Sequence, residues 1–300
     1  MKKIIIFILS FSFLIISNSF SDNQFLVNLV PGDGYTEASI QINEDDNPDL
    51  EILAVRDIDS TEHSNFFTQF SIHTQEINSS DRFITNVGLG YRALNDDKTS
   101  MFGINTFFDY DLEGHQRGSI GIEARGATFD LNANSYHKIT NMEVVDGKEE
   151  QVLSGYEINL TSQLPYLPWS KLNLQNYSWE KEKASSDTEG NKLSLEMLIT
   201  PSVQFDISGD FSDNAGVDDE YTYKLTFVHP PRDTKYTLKD GFISNLAFEK
   251  ENVETKLKEK VRRSNNLTVE IQGAVIVTSK YYEKFKNICY HNPLIFYFFK

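Results

Sequence analysis

The chain has 300 residues, 44 acidic against 28 basic, and a net charge of −16. That balance excludes a nucleic-acid partner, because phosphate backbones are held by basic patches. The single cysteine, Cys289, excludes an internal disulfide framework and lies far from any N-terminal lipid-anchor position.

Residues 1–21 read as a signal peptide. Lys2 and Lys3 supply the positive start, Ile4 to Ile16 the apolar run, and Ser19-Phe20-Ser21 a small-x-small cleavage site. Without Lys2 and Lys3 the net charge is −18. Residues 22–37 are expected to form a short periplasmic segment. It leaves no room for a peptidoglycan-binding module between Ser21 and Ala38.

From Ala38 to about Phe227, roughly twelve short segments alternate apolar and polar, the pattern of strands with one oily and one wet face. Strand one is expected near Ala38–Asn43 and strand two near Leu50–Arg56. In the next clear segment, Phe83, Thr85, Val87, Leu89 and Tyr91 oppose Ile84, Asn86, Gly88, Gly90 and Arg92. Phe102, Ile104, Thr106, Phe108 and Tyr110 oppose Gly103, Asn105, Phe107, Asp109 and Asp111. Ile120, Ile122 and Ala124 oppose Arg117, Gly121, Glu123 and Arg125. Segments around Tyr156–Leu160, Leu193–Ile199 and Tyr221–Phe227 repeat the pattern.

A soluble sandwich would show the same period. The wet face decides between the two, because it mixes charges with repeated glycine. Glycine weakens a solvent-facing strand but suits a narrow lumen. The fold class is therefore all-β, an antiparallel 12-stranded transmembrane barrel spanning 38–230 in the outer membrane. A mean hydropathy of −0.40 is compatible with it, since only one face of each strand meets lipid. Connection lengths agree, short at 126–128, 164–170 and 200–201 and long at 139–152, 180–191 and 212–219. The connection 57–65 is longer than that scheme favours.

After the strands, Phe242 to Arg263 shows a helical period, with Val253, Leu257 and Val261 on one face. A helix lodged in the lumen, followed by a linker to residue 270, is expected over 231–270. The competing reading is a small soluble helix below the barrel. Residues 271–300 form an atypical aromatic tail that reads as a truncated passenger start.

Asp109, Asp111, Glu123 and the histidines invite a protease reading. His73, His115 and His229 fall at different heights, so no acid–base constellation converges. The expected role of these acids is a lumen charge network with Arg92, Arg117 and Arg125, because buried charges require partners. No Gly-rich phosphate loop, metal-spaced cluster or cofactor motif is present, so no enzyme activity and no cofactor is expected.

Several strings carry a resemblance in order. They are Gly88-Leu-Gly90-Tyr-Arg92, Asn105-Thr-Phe107-Phe-Asp109-Tyr-Asp111, Arg117-Gly-Ser-Ile-Gly121-Ile-Glu123, Asn134-Ser-Tyr136 and Leu164-Pro165-Tyr-Leu-Pro168. Val261-Arg-Arg263-Ser-Asn265-Asn266-Leu267, followed by Glu270, completes the series. From Ser39 to Glu270 the chain resembles the inverse-autotransporter β-domain of intimin and invasin adhesins. The resemblance implies a barrel with its N-terminus in the periplasm. It also implies a linker, here Arg263, Asn265, Asn266 and Glu270, that crosses the lumen to a C-terminal passenger at the cell surface. The implied partners are outer-membrane lipid, and periplasmic chaperones and the barrel-assembly machinery during biogenesis. A host or neighbouring cell surface is a partner only if a passenger follows. The alternative is a stand-alone barrel, structural or weakly pore-forming.

Overall fold

The computed structural model describes residues 32–276, apart from 45–46, 79, 215–218 and 235. The signal peptide expected over 1–21, much of the 22–37 segment and the tail beyond 276 lie outside the described residues.

Twelve antiparallel strands close into a barrel. They are β1 (Gly34–Asn43), β2 (Asp49–Ser60), β3 (Ser64–Ile77), β4 (Ser80–Leu94), β5 (Ser100–Asp111), β6 (Gln116–Gly126) and β7 (Phe129–Lys138). After a small hairpin, β8 (Glu143–Val145) and β9 (Lys148–Val152), the wall resumes. It continues with β10 (Gly155–Leu164), β11 (Leu167–Trp179), β12 (Thr188–Thr200), β13 (Val203–Ser212) and β14 (Glu220–His229). Pairing of β1 with β14, Ala38 opposite Phe227, closes the ring and leaves no free edge in the wall.

The two-residue period sorts the side chains as the alternation requires. On β5, Phe102 and Ile104 are each 62% exposed on the outer face, while Asn105 is 5% exposed on the inner one. Val87, Leu89, Ile120, Ile122, Ile158 and Leu160 extend the outer apolar band. Water would not tolerate such a continuous belt, whereas lipid requires it.

The ladder starts at Gly34, earlier than the alternation suggested, and β2 runs on to Ser60. A register shift between Asp57 and Asp59 lets β2 pair with β3 past the point where alternation fades. The long 57–65 gap thus shrinks to a turn at 61–63. The other turns at that end, 95–99, 127–128, 165–166 and 201–202, are also short. The opposite end has short connections in the first half of the barrel, 44–48, 78–79 and 112–115, and carries all the long ones: 139–154, with its β8–β9 hairpin, 180–187 and 213–219. Short turns mark the periplasmic end of an outer-membrane barrel and longer loops the outer end.

The helix expected over Phe242–Arg263 is corrected to a six-residue 3-10 turn, Val253–Lys258. Residues 242–252 form an irregular strap under the periplasmic mouth, and Glu259 is already extended, with φ −70° and ψ 158°. Reach explains the difference. Residues 259–268 span roughly 33 Å when extended. As a helix they would span about 15 Å, less than the ~25 Å apolar band to be crossed.

The chain then rises through the lumen and emerges at the loop end. There β15 (Val269–Ile271) pairs with β9 and with β16 (Ala274–Ile276), forming a four-stranded sheet β16-β15-β9-β8. Apolar packing inside the barrel is organised around this segment. Val253 and Leu257 pack with Leu94 and Met101 near the periplasmic mouth. Val261 packs with Leu53, Val55, Phe67 and Phe107 at mid-height. Leu267, Val269 and Ile271 pack with Ile77, Ile84 and Val152 at the outer mouth.

A closed ladder with every wall edge paired resists detergent until it is heated. The expected result is heat-modifiable migration, an unboiled sample running differently from a boiled one on a denaturing gel. Recovery of the mature chain as a soluble periplasmic protein would contradict the fold.

Candidate functional site

The site is the filled lumen. Its wall is built by inward-facing residues of β1–β7 and β10–β14, and its content is the segment 253–271.

Three acids organise the wall. On β5 and β6, Asp109 lies opposite Arg117 and Gly103 opposite Glu123. Arg117 Nε donates to Asp109 at 2.8 Å, and Arg263 Nη2 from the linker donates to the same carboxylate at 2.7 Å. Glu123 receives Arg92 Nε at 2.8 Å and Arg125 Nη2 at 2.6 Å. Asp111 pairs with Arg82 at 3.3 Å rather than with any of the three arginines anticipated for it. All of these side chains are almost fully buried. A buried charge is tolerable only with partners of this kind.

Glycine on the wet face has a specific use. A Cβ at Gly88 would overlap the Phe107 ring, and one at Gly90 the Phe67 ring. Both aromatics therefore lie flat against the wall while facing inward. Each carries a guanidinium over its face, Arg263 on Phe107 and Arg92 on Phe67, both at 4.3 Å from the ring centroid. Phe67 and the stacking role of Phe107 were not anticipated. The legible signal was an aromatic among charged inward residues, opposite glycine on the next strand.

The wall also satisfies the linker backbone, which is why an extended chain can lie there. Every buried peptide N–H and C=O needs a partner. Arg92 Nη1 and Asn65 donate to the Leu257 carbonyl at 3.0 and 3.1 Å. Arg125 donates to Lys260, Asn134 to Arg262, Arg117 to Ser264 and Asn86 to Asn265. Gln69 accepts from the Val261 N–H at 2.7 Å. Gln75 both donates to and accepts from Leu267, at 2.9 Å each, as a neighbouring strand would.

Anticipated linker residues take separate places. Asn265 donates to Glu51 at 2.9 Å, while Asn266 lines a polar cavity beside the linker. Glu270, 2% exposed, is held at the outer mouth. The backbone N–H groups of Glu182, Lys183 and Ala184 converge on its carboxylate. Three amides turned onto one anion form a nest, and here it clips the linker to the 180–187 loop. At the other mouth Lys256 fixes the 3-10 turn through Asp130 at 2.7 Å and the Gly126 carbonyl at 2.8 Å.

His73 lines the lumen, whereas His115 is buried at the outer mouth beside Glu150. Glu150 sits on β9 opposite Ile271 and receives Arg82 at 2.7 and 2.8 Å. Sequence reasoning missed this group because 139–152 read as plain loop. Burial pushes the Glu150 carboxyl up. The hydrogen bond to His115 and the Arg82 guanidinium outweigh that and hold it below its ordinary value of 4.5. Its folded value lies below its unfolded one, so its contribution is full above pH 4.5 and fades as pH falls through the folded value. The protection factors of the Leu153 and Gln272 amides, which bond across the exit contact to Thr268 and Glu149, are therefore expected to fall on acidification below that point. Protection unchanged down to full carboxylate protonation would remove Glu150 from the exit contact.

Fold and site together define an outer-membrane β-barrel that holds its own C-terminal segment in the lumen. The family model for the inverse autotransporter β-domain matches residues 30–265, and the chain belongs to that family. The chain is 24% identical over 223 residues to the inverse autotransporter adhesin YeeJ of Escherichia coli K12, covering 71% of this chain and 9% of that protein. It is 32% identical over 123 residues to invasin of Yersinia enterocolitica, covering 39% of this chain and 14% of invasin. The chain thus spans a small fraction of the length of these relatives. A solved structure from work on in-meso crystallization of membrane proteins superposes with a TM-score of 0.64 at 20% identity. It covers 79% of this chain and all of that one, a likeness of fold.

Proposed function

We propose that this chain is the membrane anchor and translocator of a C-terminal passenger, and that residues 253–276 are the export linker held in its pore. The observation that carries this reading is the direction of the linker. The chain leaves β14 at the periplasmic end, turns under the mouth, crosses the lumen extended and joins β9 at the outer end. A plug alone needs no exit, whereas a tether to a surface domain does. The lumen residues named above would act by position. Asp109, Glu123 and their arginines hold the wall and linker together, and Glu270 clips the exit. Adhesion would belong to a passenger, as the names of the two relatives suggest. No catalytic role is assigned to the lumen acids.

The test is a peptide epitope joined after Lys300, expressed in a Gram-negative host. Antibody binding to intact cells, lost after external protease treatment, is the expected result. An epitope reached only after cell lysis would overturn the translocator reading.

A further inference from the structure

The linker does not fill the lumen evenly. It lies against β3–β6 through Gln69, Gln75, Asn86, Asp109, Arg117 and Arg125. On its other side, toward β10–β14 and β1–β3, a cavity of about 270 Å³ remains. Its upper lining includes Asn43, Asp49 and Asp210 at the outer ends of their strands. Its lower part ends at Glu196 and Arg262.

Two observations indicate that this space is wet and favours one sign of charge. Both ring nitrogens of His73, a residue 5% exposed, have no partner among the described residues, and neither has the Trp179 indole N–H. Both side chains line the cavity. Buried polar atoms in a polar cavity large enough for water are normally satisfied by water. In addition, Asp206 and Asp210 line the cavity, and neither forms an ion pair among the described residues. They accept only from Gln204 and from the Tyr177 hydroxyl, both at 2.8 Å. Lys192 and Lys224 stand opposite Asp210 and Asp206, and Arg262 and Arg263 also line the cavity, yet its acids outnumber its bases six to four. A polar path with that carboxylate excess favours cations over anions.

Below the cavity, toward the periplasmic mouth, two linker cations are seated on wall carboxylates. Arg262 is bidentate to Glu196 at 2.5 and 3.1 Å. Lys260 contacts Glu37 at 2.6 Å, and the same carboxylate takes Arg232 at 3.2 Å. Glu37 faces inward on β1 near its periplasmic end, opposite Val228 of β14.

We infer that the cavity is a cation path running beside the linker, open to the exterior and shut on the periplasmic side by Lys260 and Arg262. The linker then blocks the pore by two side chains as well as by its bulk. This inference rests on the lumen-linker reading of the proposed function, because it requires the linker to stay in place.

The test compares three proteins in planar bilayers: the native chain, the Lys260→Ala/Arg262→Ala chain, and a chain ending at Pro231. The native chain is expected to stay closed. The double variant should show a small, cation-selective conductance, several-fold above native background and well below that of the shortened chain. A closed or anion-selective double variant would overturn the inference. Conductance equal to that of the shortened chain would mean that the linker had left the lumen, which also overturns it. A native chain that already conducts like the shortened one would instead overturn the lumen-linker reading.

A second measurement uses the linker unaltered. Ser208 lines the cavity, and Ser208→Cys in a Cys289→Ser chain gives it one thiol. A membrane-impermeant thiol reagent should modify that thiol from the loop side and not from the turn side. No modification from the loop side, or equal modification from both, would overturn the inference even if the double variant failed to fold.

Discussion

A chain ending at Pro231 is expected to fold, to lose stability and to conduct ions freely. Folding should survive because closure depends on pairs within the wall, including β1 with β14 and β13 with β14, none of which uses the linker. Stability should fall because Val261, Leu257, Val253 and Leu267 each pack against wall residues in three separate clusters. Fully burying one such side chain contributes roughly 1.5–3 kcal/mol. The wall charges would then face water rather than the linker, which softens the loss. Conductance should rise because a twelve-stranded ring without its content has an interior lined by Asn, Gln, Asp, Glu and Arg. Single-channel recording decides the matter. A shortened chain as closed as the full one would place the lumen segment outside the pore.

The wall was legible because lipid imposes a strict two-residue period. Phe102, Ile104, Ile120 and Ile122 could sit only outside, and that fixed Asp109, Arg117, Glu123 and Arg125 inside. The lumen segment was less legible because its period answers to the wall rather than to its own backbone. Val253, Leu257 and Val261 are spaced as a helix stripe. Val253 and Leu257 share one cluster near the mouth, while Val261 belongs to another at mid-height. Helical spacing and an extended climb past a curved wall both bring every fourth residue to an apolar surface. What distinguishes them is the set of side-chain donors and acceptors on the wall, Gln69, Gln75, Arg92, Asn134 and others. These replace a helix's own hydrogen bonds and lie more than a hundred positions away in sequence. Arg82, His115 and Glu150 escaped notice for a related reason. They meet only when the β8–β9 hairpin folds back over the outer mouth.

Glu123→Leu is expected to be among the most destabilising single changes in the wall. The native carboxylate is fully buried and shared by Arg92 and Arg125, with Asn132 donating at 3.3 Å. Leucine has similar reach but accepts nothing. Arg92 would keep the Phe67 ring and linker carbonyls of Leu257 and Glu259, and would have no carboxylate partner. Arg125 would keep Glu259 of the linker at 2.8 Å. Breaking a buried pair from one side typically costs about 3–5 kcal/mol, because a charge is left uncompensated, and less where water enters. The urea midpoint in detergent should therefore fall clearly below that of the native barrel. Glu123→Gln, which keeps an acceptor and loses the charge, should fall between the two. Arg92→Leu combined with Glu123→Leu should recover part of the loss, since it removes the stranded cation as well. A native midpoint for Glu123→Leu would show that water already solvates Arg92. Full additivity in the double variant would show that Arg92 and Glu123 do not act as a pair. Because Arg92 also holds two linker carbonyls, the same substitution should loosen the linker. It would then appear in bilayers as brief openings that the native chain lacks.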